Sequence, residues 1–101
     1  MEPGFESILL NVIDLNNGRI GILSEQIEDK KEFLEDDKSN LKELSELDLT
    51  HNKEAESLLQ IHVNYVEAIH HITQNEIDHF KTSIKNIELE NTELRSLINR
   101  L

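Results

Sequence analysis

The chain has 101 residues, with 21 Asp or Glu against 10 Lys or Arg, so its net charge is −11. It contains no cysteine, which excludes a disulfide scaffold, a thiolate metal site and a cysteine nucleophile. Aromatic residues make up 4%, too few for a compact globule with a large core. The acidic balance disfavours direct binding to nucleic-acid phosphates and to anionic lipid surfaces, because like charges repel.

The sequence also lacks the signals that direct a chain into or across a membrane. No stretch approaches the roughly 18 apolar residues that a membrane span needs. The first four residues, Met-Glu-Pro-Gly, carry no basic segment of the kind that opens a secretory signal. We therefore expect an intracellular, cytoplasmic protein without a membrane span.

Residues 1–18 predict a short amphipathic helix followed by a turn. The turn falls at 16–18, where Gly18 suits the left-handed position that ends many helices. Asn17-Gly18 also favours an alternative, a β-hairpin between residues 8–15 and 19–23. The helix is preferred because the apolar side chains follow a 3.6-residue period rather than strict alternation. These apolar side chains are Phe5, Ile8, Leu9, Val12, Ile13 and Leu15.

Residues 19–52 predict an acidic helical segment. No Pro or Gly occurs from Ile22 onward, and the Leu, Ile, Glu and Lys bias is typical of long helices. A heptad pattern starts at Ile20, although charged residues or His interrupt its seam in the middle of the chain. We expect breaks in the helix near 36–40 and 48–52. The seam positions of this first register are 20, 23, 27, 30, 34, 37, 41 and 44, then 48, 51, 55, 58, 62, 65, 69 and 72.

Residues 53–101 predict a long helix whose last part, 77–101, resembles a leucine zipper. Asn91 is the one polar residue in its seam, and a single Asn at this kind of position fixes the register of two parallel strands. Isoleucine at two adjacent seam positions, Ile84 and Ile87, also allows a trimer. The sequence thus favours a parallel homodimer. Its predicted seam is Ile77, Phe80, Ile84, Ile87, Asn91, Leu94, Ile98 and Leu101.

Charges that flank this zipper agree with parallel pairing. In a parallel dimer Glu76 would meet Lys81 of the second copy, and Glu90 would meet Arg95. Each such pair contributes a few tenths of a kcal/mol at most, but together they favour one orientation. The zipper lacks an adjoining basic region, so it does not fit a DNA-binding basic zipper.

The apolar surface widens between residues 58 and 72, and the register shifts by one residue between 69 and 77. Two strands do not need so wide a surface, so a third helix should cover part of it. That helix is either residues 19–47 folding back or a helix of a partner protein. The candidate partner or bundle face is Leu58, Leu59, Val63, Tyr65, Val66, Ile69 and Ile72.

No catalytic, cofactor-binding, metal-binding or small-molecule site is predicted. Glu67 with His70, and Glu76 with His79, match the Glu-x-x-His spacing of di-iron proteins. Both motifs fall on one predicted helix about 13 Å apart, so they cannot converge on a shared site. The sequence also has no Gly-rich phosphate loop.

Together these patterns predict an all-α coiled coil or elongated helical bundle that is not an enzyme. Its expected function is oligomerisation and scaffolding: the chain self-associates through its coiled coil and recruits a protein partner. The alternative is an acidic helical adaptor or inhibitor that occupies a basic site on another protein.

Overall fold

A computed structural model describes residues 3–101 and confirms that the protein is all-α and built from long helices. Helix α1 spans Pro3–Ser45 and helix α2 spans Lys53–Asn99. Residues 46–52 form the loop between them, and residues 3–101 contain no strand. The uninterrupted run of good helix formers after Ile22 explains the length of both helices.

The turn predicted at 16–18 is wrong, and so is the alternative hairpin. Helix α1 continues through Asn16, Asn17 and Gly18, and no described glycine has a positive φ. A glycine inside a helix costs about 1 kcal/mol relative to alanine. Apolar burial on both sides of it, at Leu9, Ile13 and Ile27, outweighs that cost. Residues 1 and 2 of the predicted first segment lie outside the described residues.

Of the two predicted helix breaks, only the second is present. Helix α1 runs through 36–40, where Asp37 is half-buried and contacts a residue of α2. The chain leaves the helix at 46–52, where Asp48 and Asn52 offer side-chain oxygens to the backbone. Asp48 Oδ1 accepts hydrogen bonds from the Thr50 amide (3.1 Å) and hydroxyl (2.7 Å). Asn52 Oδ1 accepts from the Ala55 amide at 3.0 Å, so Asn52 caps the start of α2.

The chain divides into two compact units, each of which pairs a stretch of α1 with a stretch of α2. The terminal unit combines Met1–Ile27 with Asp78–Leu101, and the hairpin unit is Glu28–Ile77 with the loop inside it. In the hairpin unit Lys30 contacts Glu76, and Asp37 contacts His70, so the two helix segments are antiparallel there. Antiparallel pairing is what a short loop between two helices requires.

Apart from flanking positions such as Val12 and Ile69, the buried and half-buried side chains of both helix pairs lie in rows with a heptad spacing of three and four residues. In the terminal unit they are Leu9, Ile13, Asn16, Ile20, Leu23 and Ile27 on α1, with Phe80, Ile84, Ile87, Asn91, Leu94 and Ile98 on α2. In the hairpin unit they are Lys30, Leu34, Asp37, Leu41 and Leu44 on α1, with Leu59, Val63, Val66, His70, Thr73 and Ile77 on α2.

The predicted register shift in α2 is wrong. The register that contains Ile77 continues back along the helix through His70 and Val63 without a change of phase. The earlier register, which contains Leu58, Tyr65 and Ile72, lies on an exposed face of the same helix. Helix α2 between residues 58 and 72 therefore has two apolar faces. One packs on α1, and the other is exposed to solvent.

Candidate functional site

The terminal unit contains a buried polar layer built around Asn16 and Asn91, which are 2% and 3% exposed. Asn16 Nδ2 donates to Asn91 Oδ1 and to Glu90 Oε1, both at 2.9 Å. Asn91 Nδ2 donates to Asn17 Oδ1 at 3.1 Å, and Arg19 donates to Asn16 Oδ1 at 3.0 Å. Because each buried amide is hydrogen-bonded across the helix pair, the layer specifies one alignment of α1 against α2.

This polar layer shows that the predicted zipper seam of α2 packs against α1 of the same chain. Asn91 is buried, as a seam residue should be, but it faces Asn16 of the same chain instead of a second Asn91. Ile77 is 1% exposed, and the apolar seam residues Phe80, Ile84, Ile87, Leu94 and Ile98 are half-buried, while Leu101 is exposed. Parallel pairing of two copies through this seam would first require separating α1 from α2 in the terminal unit.

Two of the four residues of the predicted inter-chain ion pairs have contacts within the chain. Glu76 Oε2 lies 2.9 Å from Lys30 Nζ in the hairpin unit. Glu90 accepts the hydrogen bond from Asn16 in the terminal unit. Lys81 and Arg95 are exposed on α2. The two acidic members of the predicted pairs thus contact α1, and the two basic members remain exposed.

In the hairpin unit two seam positions of α1 hold charged residues instead of apolar ones. Each of these two residues contacts an ionisable residue of α2. Lys30, paired with Glu76, and Asp37, next to His70, are both half-buried. His70 Nε2 lies 3.2 Å from Asp37 Oδ2, but the geometry does not make a hydrogen bond and Nε2 has no other partner. These contacts explain how a seam that looks weak in the sequence still packs.

Near the loop, α1 and α2 leave an open groove with a volume of about 380 Å³. Its lining combines four aliphatic side chains with two carboxylates. The lining residues are Leu41, Leu44, Ser45, Glu56, Leu59, Gln60, Val63 and Glu67. Leu59 and Val63 of the predicted partner face thus lie beside α1, on the inner side of the hairpin unit.

The rest of the predicted partner face divides between the two sides of α2. Val66 is buried and Ile69 is half-buried. Leu58, Tyr65 and Ile72 are exposed, together with Ile61, which belongs to the same widened apolar surface. We call Leu58, Ile61, Tyr65 and Ile72 the outer stripe; each is between 58% and 65% exposed.

Helix α1 carries a comparable set of exposed apolar side chains in the terminal unit. Ile8, Leu15 and Ile22 are spaced seven residues apart and are 59–61% exposed, with Phe5 next to them. Contiguous exposed apolar residues on a helix are typical of interaction surfaces. Each unit therefore presents apolar side chains that its own helix pair does not cover.

The predicted Glu-x-x-His motifs are not brought together. His70 contacts Asp37, and Glu76 contacts Lys30. Across residues 3–101, no group of three or more His, Asp or Glu side chains is placed to hold a metal ion. Neither described helix is both long and apolar enough to cross a membrane.

Sequence reasoning missed Asn16, Lys30 and Asp37 as partners of α2. The signal for Asn16 was available, because extending the heptad from Ile20 toward the N-terminus places Asn16 in the seam. Comparison with known proteins adds no assignment: no protein-family model, curated protein or solved structure matches the chain.

Proposed function

We propose that this protein is a structural assembly protein that self-associates and recruits a protein partner through its outer apolar surfaces. The observation that carries the proposal is the outer stripe of α2, four large apolar side chains exposed on a helix whose adjacent apolar face is already packed on α1. Covering such side chains gains about 25 cal/mol per Å² of apolar surface removed from water. A helix from another chain is the natural cover, because the stripe repeats with helical spacing.

The proposal differs from a parallel zipper in the surface that it uses. The 77–101 seam is occupied by α1 within the chain, and its polar layer is hydrogen-bonded there. Association through the outer surfaces leaves both helix pairs intact, so it costs no unfolding. Assembly by exposed helix faces is the usual way in which helical hairpins form larger bundles.

The experiment is sedimentation equilibrium of the full chain over protein concentrations from about 1 µM to about 1 mM, a range that covers weak and moderate association. We expect the average mass to rise with concentration, toward a dimer, while the helical circular dichroism stays constant. A mass that stays at 11.7 kDa over the whole range would contradict self-association.

A second candidate function is that of an acidic adaptor that occupies a basic site on another protein. The observation in its favour is the exposure of consecutive acidic turns of α1, at Glu28, Asp29, Glu32, Glu35 and Asp36. Its test is titration with an arginine-rich peptide at rising salt. Binding that weakens steeply with salt, and is lost in Glu32→Lys/Asp36→Lys, supports this function; absence of binding at low salt contradicts it.

A further inference from the structure

The outer stripe has a symmetry that selects its partner. Tyr65 stands at its centre, with Leu58 seven residues before it and Ile72 seven residues after it. Ile61 lies four residues before Tyr65, and Ile69, half-buried at the edge of the stripe, lies four residues after it. The apolar spacing is therefore the same when the helix is traversed in either direction from Tyr65.

We propose, building on the self-association proposed above, that the outer stripe pairs antiparallel with the same stripe of a second copy, about a two-fold axis beside Tyr65. A two-fold interface requires a surface that is complementary to itself, so that residue i meets residue j and j meets i. Here Leu58 comes level with Ile72 of the second copy, and Ile61 with Ile69. Tyr65 meets its own copy at the axis.

The next level of the stripe also suits this pairing. Three residues on either side of Tyr65 are His62 and Ala68, a large side chain and a small one. Antiparallel pairing places His62 of one copy level with Ala68 of the other. Because of the two-fold axis, a large side chain then faces a small one at two equivalent places. Alternation of large and small side chains is what close packing between helices requires.

The scarcity of charged residues on the outer stripe favours a second copy of the chain over a basic protein as its partner. Between residues 57 and 75 the only Asp, Glu, Lys or Arg is Glu67, and Glu67 lines the groove next to α1. Over residues 57–75 two outer stripes can therefore meet without bringing carboxylates together, although each chain carries a net charge of −11. One turn beyond Leu58 and Ile72, Glu54 comes level with Glu76 of the second copy, whose charge is offset by Lys30 at 2.9 Å. A basic partner would find no acidic contact on this face.

The exposed apolar residues of α1 share this symmetry only at Ile8 and Ile22, which lie seven residues on either side of Leu15. Reversing the chain about Leu15 places Phe5 level with Glu25, and Asn11 level with Arg19. An apolar side chain opposite a carboxylate does not make a self-complementary core. The two-fold apolar pattern is thus more complete on α2 than on α1.

The size of the outer stripe limits the affinity of the dimer. Residues 58–72 span about 21 Å of helix, roughly four turns. One helix face of that length is smaller than the about 800 Å² per partner of a standard protein interface. We expect a dissociation constant in the micromolar range, and a dimer that exchanges subunits readily.

Sedimentation of matched variants of the full chain tests the assignment. Tyr65→Glu should raise the dimer dissociation constant at least about 100-fold, because it places two carboxylates at the axis. The matched control is Leu89→Glu, which adds the same charge at a 56%-exposed leucine farther along α2 and should leave dimerisation unchanged. Circular dichroism checks that both variants keep their helices.

Three results of this comparison overturn the assignment. If wild-type protein dimerises and Tyr65→Glu dimerises equally well, the outer stripe is not the interface, while self-association stands. Equal weakening by Leu89→Glu shows a general effect of charge, and again removes the stripe as the interface. A wild-type chain that stays monomeric overturns both this inference and the proposed self-association.

Disulfide cross-linking gives a second readout that keeps the wild-type surface charge, since the chain has no cysteine of its own. Tyr65→Cys should form a covalent dimer under mild oxidation, and Leu58→Cys should link to Ile72→Cys when the two are mixed. Leu58→Cys alone should not link, because its two copies lie about 20 Å apart in the antiparallel pair. Ready self-linking of Leu58→Cys would show parallel pairing and overturn the two-fold arrangement.

The single tyrosine offers a probe that needs no substitution. The chain has no tryptophan, so its intrinsic fluorescence comes from Tyr65. Acrylamide should quench this fluorescence less as protein concentration rises through the dimer dissociation constant. Quenching that does not change while sedimentation reports a dimer overturns the assignment of Tyr65 to the interface.

Discussion

Asn16 of α1 and Asn91 of α2 face each other in the interior of the terminal unit, with Asn16 Nδ2 2.9 Å from Asn91 Oδ1. Each amide has a further partner: Glu90 for Asn16, and Asn17 for Asn91. A slip of one helix against the other would bury these amides against apolar neighbours at a cost of about 1–3 kcal/mol for each unsatisfied group. The pair therefore favours one alignment over its neighbours.

The first prediction is that Asn16 and Asn91 are energetically coupled. Asn91→Leu should lower the free energy of unfolding by about 1–3 kcal/mol, because it removes a buried partner of Asn16. Asn16→Leu/Asn91→Leu should recover most of that loss, since two facing leucines complete the apolar seam. Urea unfolding followed by circular dichroism measures the double-mutant cycle. Additive losses from the two single variants would contradict the coupling.

Much of the helix pairing could be read from the sequence, and the part that could not has a physical cause. The heptads at 20–44 and 77–98 coincide with side chains that are buried or half-buried. The heptad pattern states which face of a helix is buried but not which helix covers it. Asn91 therefore predicted a second Asn91, whereas the chain supplies Asn16.

Residues 58–72 were harder to interpret, because α2 has two adjacent apolar faces there. The face containing Leu58 and Tyr65 has the cleaner repeat, while the face that packs on α1 includes His70 and Thr73. Periodicity alone therefore predicts that the face with the cleaner repeat is the one packed on another helix. The partner of His70, Asp37, lies on α1 and 33 positions away in sequence, so local spacing could not reveal it.

The second prediction concerns the glycines at which α1 was expected to end. A methyl group added to Gly18 or Gly21 would have no neighbour within 4 Å, and both residues lie inside the helix. Gly18→Ala and Gly21→Ala should each raise the free energy of unfolding by about 0.5–1 kcal/mol. Gly4→Ala, in the first turn of α1, is the control and should have a smaller effect. A destabilising Gly18→Ala would indicate a left-handed turn after all.

The third prediction concerns the half-buried pair Asp37 and His70, whose 3.2 Å approach makes no hydrogen bond. Replacing both with leucine, Asp37→Leu/His70→Leu, should raise the free energy of unfolding by about 1–2 kcal/mol, because three of the four flanking seam residues, Leu34, Leu41 and Val66, are apolar. Thermal and urea unfolding give the measurement. Destabilisation by the double variant would show that the pair contributes more than its geometry indicates.

The fourth prediction is a pH dependence in the loop. The hydroxyl and amide of Thr50, the hydroxyl first, hold the pKa of Asp48 below its usual 3.8. The folded state therefore binds this proton less tightly than the unfolded chain does. The stabilisation from Asp48 is fully present above pH 3.8 and is lost as the pH falls through the lower folded-state pKa.

Comparing wild type with Asp48→Ala isolates that effect, because the other carboxyl groups titrate in both proteins. The wild-type advantage in urea unfolding should be present at neutral pH and should shrink toward strongly acidic pH. Thr50→Val, which removes the hydroxyl donor, should show part of the same dependence. A difference between wild type and Asp48→Ala that stays constant with pH would contradict this role.

The fifth prediction is that added salt strengthens self-association through the outer stripe. Each chain carries a net charge of −11, so two chains repel each other at long range, while the stripe itself contributes apolar contact. Raising the ionic strength from about 0.05 M to about 0.5 M shortens the screening length from about 14 Å to about 4 Å. The dimer dissociation constant, measured by sedimentation, should therefore fall. Glu32→Lys/Glu35→Lys, which reverses two exposed acids in α1 outside the stripe, should flatten this dependence. An association that weakens with salt would instead indicate an interface held by opposite charges, as in the acidic-adaptor alternative, and would exclude the apolar pairing at Tyr65.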